Sequence, residues 1–236
     1  MVRLIVALLS LAPALALAEM NSPHMHDDPL AWKLEAEELE WRQDGGREDL
    51  HWDIVGWLGY DANRVWLKSE GEREPGTTAE NQLELLWGHA ATTWWDSMLG
   101  LRVDSGALPT RVYAAFGVQG EAPQFVHVEA TAYVGDRFDA GLRLQADYDW
   151  LLTQRLVLAA RAEAEWWSAD EDRERRGAAA SQATLGLRIR YELRRELAPY
   201  AGLEWSRALG DSAELARADR EPVSALRWVA GVRFWF

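Results

Sequence analysis

Cysteine is absent from all 236 residues, which excludes disulfides and thiolate metal sites whatever compartment the chain occupies. Basic residues are the minority. The 25 Lys and Arg stand against 38 Asp and Glu, a formal net charge of −13, so the electrostatic footprint that a nucleic-acid partner requires is missing. Long hydrophobic runs are missing too, apart from one at the start. No later stretch supplies the roughly 20 apolar residues of a transmembrane helix, and helical periodicity is scarce. This hydropathy excludes helical spans but not a membrane location, because transmembrane β-strands alternate and average to mild polarity.

The one apolar run is Leu4 to Leu17, interrupted by Ser10 and Pro13. Arg3 precedes it and Ala16-Leu17-Ala18 closes it, the basic, apolar and small-residue regions of a secretory signal peptide. The expected organisation is a signal peptide over 1–18, a short Met/His/Asp-containing segment over 19–31, and a β-barrel domain over 32–236.

What the chain has in excess is tryptophan, 14 residues against 6 Tyr and 5 Phe. Buried indoles need a partner for their N–H, whereas a membrane–water interface accommodates an apolar ring with a polar edge. Trp41, Trp87, Trp94, Trp95, Trp150, Trp166 and Trp205 fall at or near the ends of the strands expected below, as two aromatic girdles require.

Period-two alternation fills the rest. Leu226, Trp228, Ala230, Val232, Phe234 and Phe236 share one face of the C-terminal segment, and Arg227, Gly231 and Arg233 the other. Leu187, Ile189 and Tyr191 alternate with Arg188, Arg190 and Glu192; Val126, Val128, Ala130, Ala132 and Val134 alternate with His127, Glu129 and Tyr133. These segments run about ten residues, the length of a tilted membrane strand rather than of a sandwich strand. Twelve are expected, at 32–42, 50–60, 64–72, 79–88, 94–104, 111–120, 125–134, 138–149, 155–167, 181–193, 197–207 and 223–236. They predict an all-β, antiparallel transmembrane barrel in the outer membrane, surrounded by outer-membrane lipids. Glu37-Glu38-Leu39 slips the alternation and marks a bulge. Connections such as Asp61 to Asn63 and Arg194 to Glu196 are short and suit the periplasm. Gln43 to Asp49, Gly71 to Thr78, Ser168 to Ala180 and Ala208 to Pro222 are longer, polar and outward, with the tight Gly135-Asp136-Arg137 an exception among them.

The final Gly231-Val232-Arg233-Phe234-Trp235-Phe236 resembles the terminal strand of outer-membrane proteins. Trp57-Leu58-Gly59-Tyr60-Asp61-Ala62-Asn63-Arg64, Lys68-Ser69-Glu70-Gly71-Glu72, Trp95-Asp96, Ala122-Pro123, Thr153-Gln154-Arg155-Leu156, Leu187-Arg188-Ile189-Arg190-Tyr191-Glu192, Arg194-Arg195-Glu196 and Ala198-Pro199-Tyr200 resemble the copper-resistance protein B family, in order over residues 29 to 236. The resemblance implies an outer-membrane copper-binding protein that sequesters or exports copper, acting alongside a periplasmic multicopper oxidase or copper carrier. Members of that family carry an extended Met-, His- and Asp-rich segment before the barrel; this chain has only Met20 and His24-Met25-His26-Asp27-Asp28. It also has His127 where the resemblance leads one to expect a glutamate after the Ala-Pro turn.

Copper chemistry fits particular side chains. Cu(I) takes thioethers and imidazole, and Cu(II) prefers imidazole with carboxylate. Met20, His24, Met25 and His26 offer both kinds within one stretch, and His127 and Glu129 share a strand face two residues apart. His51, Glu84, Asp96 and Met98 also fall on faces that suit the lumen. Lys68–Glu70, Arg102–Asp104 and Arg188–Arg190–Glu192 supply both signs for a network of lumenal ion pairs. His51 and Asp53 are the best available pair for a hydrolase, but no Gly-x-Ser-x-Gly elbow accompanies them, so no catalytic residues are expected. A passive structural or adhesion-type barrel stays open as an alternative.

Overall fold

A computed structural model of the protein describes residues 29–106, 110–135, 139–168, 181–218, 220 and 222–236. Twelve strands occur among them: β1 (Ala31–Asp44), β2 (Arg47–Gly59), β3 (Asn63–Arg73), β4 (Glu80–Ala90), β5 (Trp95–Ser105), β6 (Arg111–Ala122), β7 (Val126–Gly135), β8 (Ala140–Leu151), β9 (Leu156–Trp167), β10 (Gln182–Tyr191), β11 (Leu197–Ala208) and β12 (Ser224–Trp235). Each pairs antiparallel with its neighbours in the chain, and β1 pairs with β12, so the sheet closes into a barrel. No strand end lies more than three residues from its expectation. The alternation is the reason: each strand has one face that lipid accepts and one that it rejects, and a one-residue slip would exchange them.

The outer face carries Leu85, Leu101, Phe116, Leu185 and Ile189, all about half exposed in the isolated chain. The inner face carries buried Glu40, Glu84, Arg102, Thr131 and Arg188. Trp32, Trp87, Trp94 and Trp150 stand outward at the end where the chain termini lie, and Trp41, Trp166 and Trp228 outward at the other. Not every tryptophan serves a girdle. Trp57, Trp66 and Trp167 face the lumen, where Trp57 and Trp66 pack with ring centroids 6.1 Å apart.

The terminal end has the short turns and is the periplasmic one. Tyr60 N–H donates to Asn63 O at 2.8 Å, and Leu152 N–H to Leu156 O at 2.9 Å. β6 and β7 are joined by a single 3₁₀ turn, Pro123–Phe125, with Gln124 and Phe125 at φ 67° and 62°. At the opposite end the expected long loop over Gln43 to Asp49 is instead a two-residue turn. Gly45 and Gly46 take φ +48° and +135°, so Gln43 and Asp44 go on pairing with Glu48 and Arg47. Charged composition suggested a loop there, but glycine permits a tight reversal that lets both strands continue past the bilayer. The connection after β11 holds a helix that alternation did not announce, α1 (Gly210–Ala218), rich in the good helix formers Ala, Glu, Leu and Arg. Most of the Ser168 to Ala180 loop, and Asp136 and Arg137 of the tight outward turn, lie outside the described residues.

Two outcomes follow. The folded protein should migrate faster in SDS gels before boiling than after it. Gly46→Val, which forces a β-branched residue to φ +135°, should cost about 1–3 kcal/mol and lower the temperature at which the fast band disappears; an unchanged transition would show that this turn does not hold the hairpin.

Candidate functional site

The lumen is organised by one irregularity in β1. Ala36 pairs with Ile54 of β2, but Glu38 pairs with Asp53, so Glu37 is an extra residue and the strand's phase resets across it. The expected slip at Glu37-Glu38 is therefore a true bulge. Its effect is to turn two consecutive carboxylates toward the same guanidinium. Arg161 of β9 reaches Glu37 at 2.5 Å and Glu38 at 3.0 Å, as well as Asp147 at 2.6 Å and Asp53 at 2.9 Å. Beyond the bulge Glu38, Glu40 and Arg42 all point inward. Arg188 of β10 lies among Glu40 at 2.8 Å, Glu38 at 2.9 Å and Glu204 at 3.0 Å, and Arg42 adds contacts to Glu40 at 2.8 Å and Glu204 at 3.2 Å.

Glu38, Glu40 and Glu204 are a group of three potential metal ligands with donor atoms converging within 4.8 Å, the one such group found among the described residues. Its chemistry does not fit copper well. All three donors are carboxylates, the neighbouring His51 imidazole standing 3.6 Å from Glu38 rather than among them, and the guanidinium groups of Arg42, Arg161 and Arg188 already compensate the charge. The group is better described as an ion-paired strut.

The same pattern continues around the wall. Arg143 bridges Glu70 at 2.5 Å and Glu163 at 3.0 Å; Arg102 bridges Asp104 at 2.7 Å and Glu165 at 3.0 Å while lying over the rings of Tyr133 and Trp167. Tyr133 donates its hydroxyl to Glu84 at 2.7 Å. The residues expected to supply both signs do form such a network, and Arg102 and Asp104 pair along one strand. Lys68 pairs with Glu129 of β7 rather than with Glu70, and Arg190 pairs with Asp149 at 2.6 Å. Long side chains on a curved wall meet partners across the lumen, which alternation along one strand does not reveal. Among the charges of β4 to β7 lies one apolar cluster, Leu86, Met98, Tyr113, Ala115 and Tyr133. The free space is divided into two cavities, about 470 Å³ toward the periplasmic end and about 300 Å³ toward the outer end. Glu38, Glu70, Gln82, Arg161 and Arg188 line both and form the partition between them.

Of the residues singled out by sequence, Met20, His24, Met25 and His26 lie outside the described residues. His127 stands at the periplasmic mouth of the larger cavity, half exposed, with Nδ1 3.1 Å from Glu121 Oε1. Glu121 is its cross-strand neighbour on β6, and Asp147 on β8 flanks it on the other side. The contact through Nδ1 is the arrangement by which carboxylates orient metal-binding histidines. Glu129 shares the face but is engaged by Lys68 and by the Thr131 hydroxyl. Met98 is buried in the apolar cluster, and Glu84 is taken by Tyr133. His51 is buried 3.6 Å from Glu38, while Asp53 belongs to Arg161, so the pair considered for a hydrolase is absorbed into the ion-pair network. Sequence reasoning missed Glu121, although it stands six residues before His127 across a Pro-containing turn, a hairpin spacing that brings the two side by side.

Residues 30–236 match the protein family described as Copper resistance protein B precursor (CopB). The chain is 41% identical over 212 residues to a Copper resistance protein B homolog of Pseudomonas syringae pv. tomato, covering 90% of this chain and 72% of that protein. It is 38% identical over 221 residues to Copper resistance protein B of Escherichia coli, covering 94% and 75%. Among solved structures, the KdgM porin matches with a TM-score of 0.54 at 12% identity, over 86% of this chain and 99% of that one. The NanC porin matches with 0.57 at 12% identity over the same shares. At that identity the likeness concerns the barrel fold alone.

The partition makes a differential prediction. Arg188→Met leaves three buried carboxylates with Arg42 as their main counter-charge and should destabilise the barrel by about 3–5 kcal/mol. Arg190→Met removes a partner from Asp149, whose side chain is 48% exposed, and should cost about 1 kcal/mol or less. Urea unfolding of the two variants in lipid vesicles, followed by tryptophan fluorescence, separates them; equal losses would mean the buried cluster has no special weight.

Proposed function

The chain belongs to the copper resistance protein B family and has a role in copper resistance, and we propose that it fills that role by binding copper at the periplasmic mouth of an outer-membrane barrel. The observation that carries the reading is His127, held through Nδ1 by Glu121 at the mouth of the larger cavity. The chain enters β1 at Ala31 at this same end. His26 stands five positions before Ala31, a reach of at most about 18 Å, and Met25, His24 and Met20 have longer tethers, so all four can be delivered to the same rim.

In this reading the thioethers of Met20 and Met25 serve Cu(I), and His24, His26 and His127 with Glu121 serve Cu(II). Glu129 becomes a ligand only by releasing Lys68. The ion-paired partition supports retention of copper on the periplasmic side over free passage through the lumen. Copper held at this rim is exposed to a periplasmic oxidase or carrier, which would be the partner class.

The test is titration of the folded barrel with Cu(I) and Cu(II). Removing residues 19–28 should abolish most Cu(I) binding. Glu121→Gln, which loosens the orientation of His127, should weaken Cu(II) by about 10–100-fold, and His127→Ala should weaken it at least as much. Failure of the intact barrel to bind either ion, together with unchanged growth of a deletion strain in copper medium, would leave a passive barrel as the better description.

A further inference from the structure

Lipid accounts for the apolar residues on the outward face of the barrel, but not for two at its periplasmic rim. Phe125 and Leu151 are the most exposed large hydrophobic side chains among the described residues, at 82% and 75%, and both belong to the inward set. Phe125 lines the larger cavity together with His127. Leu151 stands opposite Val157 of β9, whose side chain is buried, and two positions after Asp149, which also lines that cavity. The register of β7 and β8 sets His127 against Asp147, so the two apolar groups sit on the same sector of the rim as the oriented imidazole. The turn that carries Phe125 is strained as well. Gln124 and Phe125 both take positive φ, 67° and 62°, a conformation that bulky side chains rarely adopt. Such strain concentrates where a ligand or a partner is held, and bare apolar groups beside a polar mouth mark a contact surface.

The chain itself supplies an occupant of the right length. β7 lies six strands from β1 in either direction around the barrel, so Phe125 and the point where the chain enters β1 face each other across the mouth. Twelve strands spaced about 4.8 Å and tilted about 40° make that mouth about 24 Å wide between opposite backbones. At full extension Met25, six positions before Ala31, reaches about 22 Å, and Met20, eleven positions before it, about 40 Å. Met20 therefore crosses with slack, while Met25 falls just short. An unbranched thioether adapts to an irregular apolar surface and gains from contact with an aromatic ring. We propose that residues 19–28 cross the periplasmic mouth and dock Met20 on Phe125 and Leu151, which draws His24 and Met25 over the cavity toward His127. Phe125 and Leu151 are in this sense positioning residues, which restrict the tether before any metal arrives. The proposal rests on the reading of the mouth as a copper site for its purpose, but the docking itself needs no copper.

The absence of cysteine permits a single nitroxide label at Asn21→Cys in the full mature chain, folded in lipid vesicles and kept free of metal. Its electron-spin resonance spectrum should show an immobilised component that Phe125→Gly and Leu151→Ser abolish. Both substitutions act on exposed side chains, and glycine takes the positive φ at position 125 freely, so the fast-migrating band should persist. Leu193→Ser, at an exposed apolar residue of another periplasmic turn, should leave the component in place. Phe125→Gly should also weaken Cu(I) binding by about 2–10-fold, the worth of a methionine–aromatic contact, and Leu193→Ser should not. A freely tumbling label in the parent barrel would overturn the proposal, as would equal immobilisation in all the variants. Immobilisation that fades as the protein is diluted in excess lipid would assign the surface to a second copy and overturn it too. An immobilised label that depends on Phe125, in a barrel that binds neither copper ion, would uphold the docking and sink the copper reading instead.

Discussion

Hydrocarbon offers no partner to a backbone N–H or C=O, and every strand that crosses it must find its hydrogen bonds in another strand. For the first and last strands of a sheet, closure is the one solution. Here it is completed by reciprocal bonds at the periplasmic end, where Leu34 N–H donates to Phe236 O at 3.2 Å and Phe236 N–H to Leu34 O at 2.9 Å. Closure in turn creates an interior lined by the face of each strand that lipid rejects. The lumenal chemistry follows from that geometric condition.

An interior with so many charges is tolerable only when each charge is met. The bulge at Glu37 shows how local backbone irregularity serves this end, since the extra residue lets Arg161 gather four carboxylates from β1, β2 and β8. Arg188 does the same from β10 with Glu38, Glu40 and Glu204. Glu38 touches both guanidinium groups, so the two clusters are one connected partition. An apolar cluster on β4 to β7 adds to the filling. Among the described residues the lumen is thus occupied by the strands' own side chains, in contrast to a wide pore with a water-filled lumen.

The two ends of the barrel offer different chemistry on either side of that partition. The periplasmic mouth presents an oriented imidazole beside the point where the Met- and His-bearing segment joins the wall, a mixed donor set suited to copper. The outer cavity is lined instead by both signs of charge, Glu72 and Glu80 with Arg111 and Arg227 among them.

Side-chain direction in a strand is a local property: it depends only on whether a position is odd or even, so the faces of the twelve strands, their spans, the slip at Glu37 and the short periplasmic turns could all be read along the chain. The family resemblance was equally linear, and the matched relatives agree with it. The Gly45-Gly46 reversal and α1 escaped because charge and alternation do not register positive φ or a short loop helix. Which arginine meets which carboxylate was undecided until the barrel closed. Arg161 and Glu37 are 124 residues apart, and their meeting is fixed by strand number, register and curvature together. His127 was visible as a candidate, but its orientation by Glu121 required the β6–β7 register. Parity belongs to each strand by itself, whereas contact across a lumen belongs to the whole closed sheet, and only the latter decides which charges are bound and which remain to hold a ligand.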